Sequence, residues 1–309
     1  MSFVLLGILN SQASGAGPIV GVAGYFAGGS TSVSFADTVD KFAFPSDSRT
    51  TLATGLSAAK ERQPGFQNAG VAGYVAGGST SGGNVDTVDK FAFPSDSRST
   101  LATGLSGARS EMAAFEDPAV AGYTAGGISG SAVDTVDKFA FPSDSRSTLA
   151  TGLNTAQRRN TGFSNNAVAG YSAGGSVGPS TTVEKFAFPS DSRSTLATGL
   201  SSARDQLAGF SDTGVAGYAA GGVNASIVST VDKFAFPSDS RSTLGTGLSI
   251  ARRSIEGFES SLAGYVGGGF DGSNRNDTVD KFAFPSDSRS TLATGLSSAR
   301  LGPAGFQNG

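Results

Sequence analysis

The sequence predicts an all-β chain: a six-bladed β-propeller of four-stranded antiparallel blades. Three observations carry this. A block of nearly fifty residues recurs six times, it reads as short strands separated by turn chemistry, and the two chain ends hold complementary parts of one repeat. The first glycines of the block are Gly24, Gly73, Gly122, Gly170, Gly217 and Gly264, with spacings of 49, 49, 48, 47 and 47. A fixed period of this size belongs to solenoids and propellers. The aromatic residues keep the same register. All 6 Tyr stand in the Gly-Tyr step, and of the 22 Phe only Phe3, Phe26, Phe35 and Phe270 leave the three fixed places per repeat.

Each element of the repeat follows from local chemistry. Val22 to Gly29 reads as one strand, with Gly28-Gly29 allowing a positive φ or a close backbone approach. In Thr38 to Phe44 the side chains alternate, both Phe on one face and Val39, Lys41 and Ala43 on the other. Pro45 then removes a backbone donor, and Ser46-Asp47-Ser48 supplies polar side chains that satisfy a hairpin turn. Thr50 to Thr54 reads as another strand, ended by Gly55, and a fourth centres on Gly65-Phe66. Four strands in about fifty residues make one blade.

Closure follows from the ends. The chain finishes at Gly305-Phe306-Gln307-Asn308-Gly309, the opening strand of a repeat whose remainder begins at Val22-Ala23-Gly24-Tyr25. Placed in sequence, these two pieces nearly reproduce the internal stretch from Gly65 to Tyr74. The C-terminal strand is therefore expected to complete the first blade and clasp the ring, hiding edges that invite aggregation. The propeller then occupies 22–309, and residues 1–21 form an N-terminal extension. Its apolar residues Phe3, Leu5, Leu6, Ile8 and Leu9 form a run too short to cross a bilayer, with no basic residues before it of the kind a secretory signal carries. An anchor docking the ring onto a larger assembly, a strand packed on the ring, and a poor signal sequence all fit this run.

The double glycine, an aromatic residue about a dozen positions on, a proline turn and then a basic residue together resemble the Kelch repeat. In the first repeat these are Gly28-Gly29, Phe42, Pro45 and Lys60; in the second, Gly77-Gly78, Phe91, Pro94 and Arg109; in the last, Gly268-Gly269, Phe282, Pro285 and Arg300. The likeness covers 22–309. Phe stands where Kelch repeats usually have Tyr, and the family's Trp is missing, Thr50 or Ser99 lying near its place. The near-identical Gly-rich repeats are similar in style to Kelch-like proteins in the virions and tail fibres of bacterial viruses. That resemblance implies a virion-associated or extracellular setting rather than a cytoplasmic one.

Composition excludes several chemistries. Among 309 residues there are 45 Gly but no His, Cys or Trp, so no Ser-His-Asp or Cys-His pair, no thiolate or imidazole zinc site and no disulfide is possible. A formal charge of −3 gives no broad attraction for nucleic acid. No cofactor or metal is implied, because the calcium-loop spacings are missing. Catalysis by paired carboxylates needs two differently tuned acids in one cleft, whereas the repeated acids sit in six equivalent settings. The unrepeated acids Glu61, Glu111, Glu116, Asp205, Glu256 and Glu259 are expected to be mostly solvated surface charges.

The repeated charges read as structural. Asp40 and Lys41 point to opposite faces of their strand, and Lys41 is expected to pair with a carboxylate of the neighbouring blade. The turn pairs Asp47/Arg49, Asp96/Arg98, Asp144/Arg146, Asp191/Arg193, Asp239/Arg241 and Asp287/Arg289 are expected to be Asx-type turns with solvated Arg. A symmetric partner touching all six is the alternative. Two connectors change freely between repeats, the one after the double glycine and the one after the last strand, and in an up-and-down blade both emerge on one side. That face is the candidate for recognition, through Ser32, Glu61, Arg62, Asn84, Glu111, Arg159, Asp205, Asn224, Arg253, Asp271, Asn274 and Arg275. The function expected is a non-enzymatic structural or interaction module binding protein partners or a cell-surface receptor, in a larger assembly such as a virus particle or tail. The alternative is a multivalent lectin with repeated sites between blades.

Overall fold

A computed structural model describes residues 22–178 and 180–309. The N-terminal run Phe3, Leu5, Leu6, Ile8 and Leu9 lies outside the described residues. Six four-stranded antiparallel sheets form a ring. With strands lettered a to d from the axis outward, blade 1 consists of Ala304–Asn308, Ala23–Ala27, Val39–Ala43 and Ser48–Thr51. Strands a of blades 2 to 6 are Gly65–Asn68, Ala113–Asp117, Thr161–Asn165, Ala208–Asp212 and Glu256–Ser260. Strand d begins directly after the turn, two residues earlier than the sequence suggests. No helix among the described residues is long and apolar enough to cross a membrane.

The clasp forms as the sequence predicts. Ala304–Asn308 pairs with Ala23–Ala27 in the register Ala23↔Asn308, Tyr25↔Phe306 and Ala27↔Ala304. This matches the internal pairing Phe66↔Tyr74 of blade 2.

The core lies between blades, because each blade buries both of its faces. Phe42 and Phe44 face blade 6, where they meet Phe258. Val39 and Tyr25 pack with Phe91, Phe93 and Phe306 toward blade 2. Phe306 is sandwiched between Tyr25 (ring centroids 4.8 Å apart) and Phe91 (5.7 Å). Stacked pairs of this kind add about 0.5–1.5 kcal/mol beyond area burial.

Two glycines make such tight spacing possible. A Cβ on Gly73 would lie 2.1 Å from the Phe306 ring, so the Gly of the Gly-Tyr step is the flat surface on which the previous blade's Phe rests. A Cβ on Gly65 would lie 2.1 Å from the Gly305 carbonyl oxygen, so the innermost strands touch backbone to backbone around the axis. A six-blade ring is narrow, and five of its six inner strands carry Gly at this point, blade 3 carrying the next smallest residue, Ala114.

Candidate functional site

The repeated charges are consumed in holding blades together. Lys41 Nζ lies 2.6 Å from Asp96 Oδ2 of the next blade, and the Tyr25 hydroxyl donates to the other Asp96 oxygen at 2.7 Å. The set recurs around the ring and closes where Lys281 and Tyr265 reach Asp47. The expected partnering of Lys41 is therefore observed. The Asx-turn expectation is corrected: Asp47 sits at φ 56° and aims its carboxylate at the preceding blade. The local turn bonding falls to Ser46, which donates to the Ala43 carbonyl and accepts from Ser48 N–H. Arg49 is not fully solvated but lies back over its own blade, 3.6 Å from Asp40. Arg98, Arg146, Arg241 and Arg289 do the same over Asp89, Asp137, Asp232 and Asp280, and Arg193 over Glu184. Asp144, Asp191, Asp239 and Asp287 repeat the role of Asp96.

A second latch is fully buried. Asp40 Oδ2 accepts from Arg300 (2.8 Å), Ser297 N–H (2.8 Å) and Ser297 Oγ (2.9 Å), all from the connector after blade 6. The same pairing joins Lys60 to Asp89, Arg109 to Asp137, Arg204 to Asp232 and Arg252 to Asp280. The seam between blades 3 and 4 differs on both sides, with Gln157 in the cation's place and Glu184 in that of the Asp. Glu184 accepts from Asn154 N–H and pairs only with half-buried Arg193, at 3.4 Å.

This difference gives a stability prediction. Asp40→Asn leaves Arg300 buried without its counter-charge and should cost about 3–5 kcal/mol. Glu184→Gln loses one partly exposed ion pair and should cost under about 1 kcal/mol. Urea melts of the two variants check the contrast, and equal losses would refute it.

The variable connectors share one face, here the upper one, where each b–c loop pairs with the connector entering its blade, as in Glu61↔Ser79, Ser110↔Ile128 and Ser30↔Leu301. Arg62, Glu111 and Arg159 are brought together at the axis: Glu111 is buried and bonds Arg62 Nη1 at 2.5 Å and Arg159 Nε at 3.0 Å. Asp205 and Arg253 both reach Gln206. Glu61 joins the first group through Arg62 Nε at 3.2 Å, and the others stay in their loops. Asn84 bonds the Ile128 carbonyl, Arg275 bonds the Ser30 carbonyl, Asp271 caps Ser273 and Asn274, and Asn224 caps Ser226. Ser32, Asn224 and Asn274 are exposed.

Sequence reasoning misses a belt around the upper mouth. Arg62 N–H donates to Gly302 O (2.8 Å), Glu111 to Arg62 (2.8 Å), Arg159 to Glu111 (2.7 Å), Gln206 to Arg159 (2.8 Å), Ser254 to Gln206 (3.0 Å) and Gly302 to Ser254 (2.7 Å). All six residues have positive φ, between 53° and 62°. The signal was Gly302 alone, the residue suited to that conformation.

The unrepeated acids require the largest correction. Glu61, Glu111 and Asp205 are buried on the upper face rather than solvated. Glu116, Glu256 and Glu259 lie on innermost strands and line the axial channel. The residue after the fixed Phe faces the axis, giving a ring of Gln67, Glu116, Ser164, Ser211, Glu259 and Gln307. Gln67 Nε2 donates to Glu116 Oε1 (2.6 Å) and Gln307 Nε2 to Glu259 Oε1 (2.7 Å). Backbone N–H groups of this ring donate to the next side-chain oxygen, as from Glu116 to Ser164 (3.0 Å), Ser164 to Ser211 (3.0 Å) and Ser211 to Glu259 (3.2 Å). Burial pushes the Glu116 carboxyl well up, with the Glu259 charge adding to it, and pushes Glu259 up to about 7. Burial also raises Glu256. Below this ring the channel opens into a cavity of about 400 Å³ lined by Glu116, Glu259 and Asp212.

Comparison with known proteins gives no guide: no family model matches the chain, and no curated protein matches it.

Proposed function

We propose that this chain is a non-enzymatic interaction module, a Kelch-type propeller that presents one varied face to a protein partner in a larger assembly such as a virus particle or tail. One observation carries the reading. The repeated Asp and Lys side chains are turned inward to neighbouring blades, while the b–c loops and the blade-to-blade connectors, which differ most between repeats, present exposed side chains such as Ser32, Asn224 and Asn274 on the upper face; the shorter a–b turns also vary, on the opposite face. A rigid ring carrying variable loops on one side is a common arrangement for recognition. The lectin alternative has less to draw on, because all six Tyr are at most 1% exposed and the half-buried Phe repeated at the proline turn, as at Phe44, Phe93 and Phe284, is stacked on a neighbouring Tyr in each case.

The test is attachment to purified virus particles, followed by quantitative mass spectrometry. The full chain should co-purify at fixed stoichiometry and detach when residues 1–20 are deleted. Ser32→Glu and Asn274→Glu should weaken partner binding at least tenfold while leaving stability within about 0.5 kcal/mol. Saturable binding on a glycan array, near six sugars per chain, would replace this reading with the lectin.

A further inference from the structure

We infer that the centre of the propeller is a cation site, where Glu116 and Glu259 hold a hard divalent ion of the calcium type on the axis, within the oxygen ring completed by Gln67, Gln307, Ser164 and Ser211.

The chain's treatment of its other buried acids supplies the first argument. Asp40, Asp89, Asp137, Asp232 and Asp280 each face a buried Arg or Lys, buried Glu111 faces three Arg, and Glu61 and Glu184 each pair with one Arg. Of the other buried acids, Asp117 and Asp205 carry no ion pair among the described residues. A buried carboxylate needs such a partner, a metal or a proton. The cavities around Glu116 and Glu259 are lined by no Lys or Arg. Glu116 is 8% exposed. Its Oε1 accepts from Gln67, while its Oε2 has no hydrogen-bond donor among the described residues, and the side chain lines the axial cavity.

The repeats provide an internal comparison. Four of the six equivalent positions carry Ser or Gln, and these complete the same backbone-to-side-chain bonds. Ring closure therefore does not need the two carboxylates. They stand in blades 3 and 6, opposite one another across the ring, and when both are ionised they bring a charge of −2 to the axis that no Lys or Arg of the cavity lining offsets. A divalent cation would offset it. The donors are all oxygen, which selects a hard ion, and the mixture of carboxylate, amide and hydroxyl suits the flexible six-to-eight coordination of Ca²⁺ better than the strict octahedron of Mg²⁺. The lower cavity, with Asp212 on its wall, is the way in.

The experiment is calorimetric titration of the full chain with CaCl₂ at pH 8, together with thermal melts across Ca²⁺ concentration. The wild type should bind one Ca²⁺ per chain and melt higher as Ca²⁺ rises, with MgCl₂ at least tenfold weaker. Glu116→Gln and Glu259→Gln should each weaken Ca²⁺ binding at least tenfold, and the double variant should neither bind nor shift. Because Gln already occupies two of these ring positions, circular dichroism of the variants should match the wild type, so misfolding cannot imitate the result. Absence of saturable binding in the wild type, or unchanged affinity in the folded double variant, overturns the proposal. In the first case the two acids are simply protonated.

Discussion

Raising the pH past 10 should unfold the protein in one steep step, with all six tyrosines ionising as the ring opens. Each hydroxyl is buried and donates at 2.6–2.7 Å to a turn Asp of the next blade. Burial, and then the neighbouring carboxylate, hold every one of these phenols far above the ordinary value of 10.0. A folded-state pKa above the unfolded one contributes stability that is complete below about pH 10 and is lost as pH climbs toward the folded value. Each tyrosine removes about 1.4 kcal/mol per pH unit, so six together remove about 8 kcal/mol per unit. A domain stable by about 5–15 kcal/mol is then exhausted within one to two units. Lys60 and the buried Arg109, Arg204, Arg252 and Arg300, whose cations are pushed down by burial, act in the opposite direction. Tyrosinate absorbance and far-ultraviolet circular dichroism should change at the same pH, and Tyr218→Phe should make the transition shallower by about one sixth. Tyrosines that titrate gradually near pH 10 while the dichroism stays native would contradict this account.

Deleting residues 304–309 should abolish the cooperative thermal transition. The missing strand carries Phe306, fully buried between two rings, and one buried Phe alone is worth about 3–5 kcal/mol. The ladder to Ala23–Ala27 and Gln307 of the axial ring go with it. Together these losses reach the whole stability of an ordinary domain, and they leave an unpaired edge that invites aggregation. A circular permutant in which residues 303–309 precede Val22 keeps every strand and should melt cooperatively within a few degrees of the parent. If the truncated chain melted as the parent does, the clasp would not be what closes the ring.

Much of this architecture was legible because repetition reads one unit six times over. Blade count, strand order and the closing strand all followed from where Gly24, Tyr25 and Phe306 recur. The partnering of Lys41 followed from its place opposite Asp40 on a strand buried on both faces. What escaped were interactions between residues distant in sequence but adjacent across a seam. Asp47 looks like a turn residue because its neighbours are Ser46 and Ser48, yet its carboxylate serves Lys281 and Tyr265. Glu116 and Glu259 look like surface charges because they interrupt a pattern of Ser and Gln. Only the convergence of inner strands on the axis buries Glu116 and half-buries Glu259. The upper belt is a backbone feature, and its five non-glycine members carry no residue type that announces a positive φ.

The joint between blades 3 and 4 is built differently from its five siblings, with Gln157 and Glu184 where the others clamp a buried cation on an acid. A hoop stretched from outside fails at its softest weld, whichever segment is gripped. Strain delivered anywhere on this wheel should concentrate there, making that joint the point of fracture and fixing which neighbours part company first.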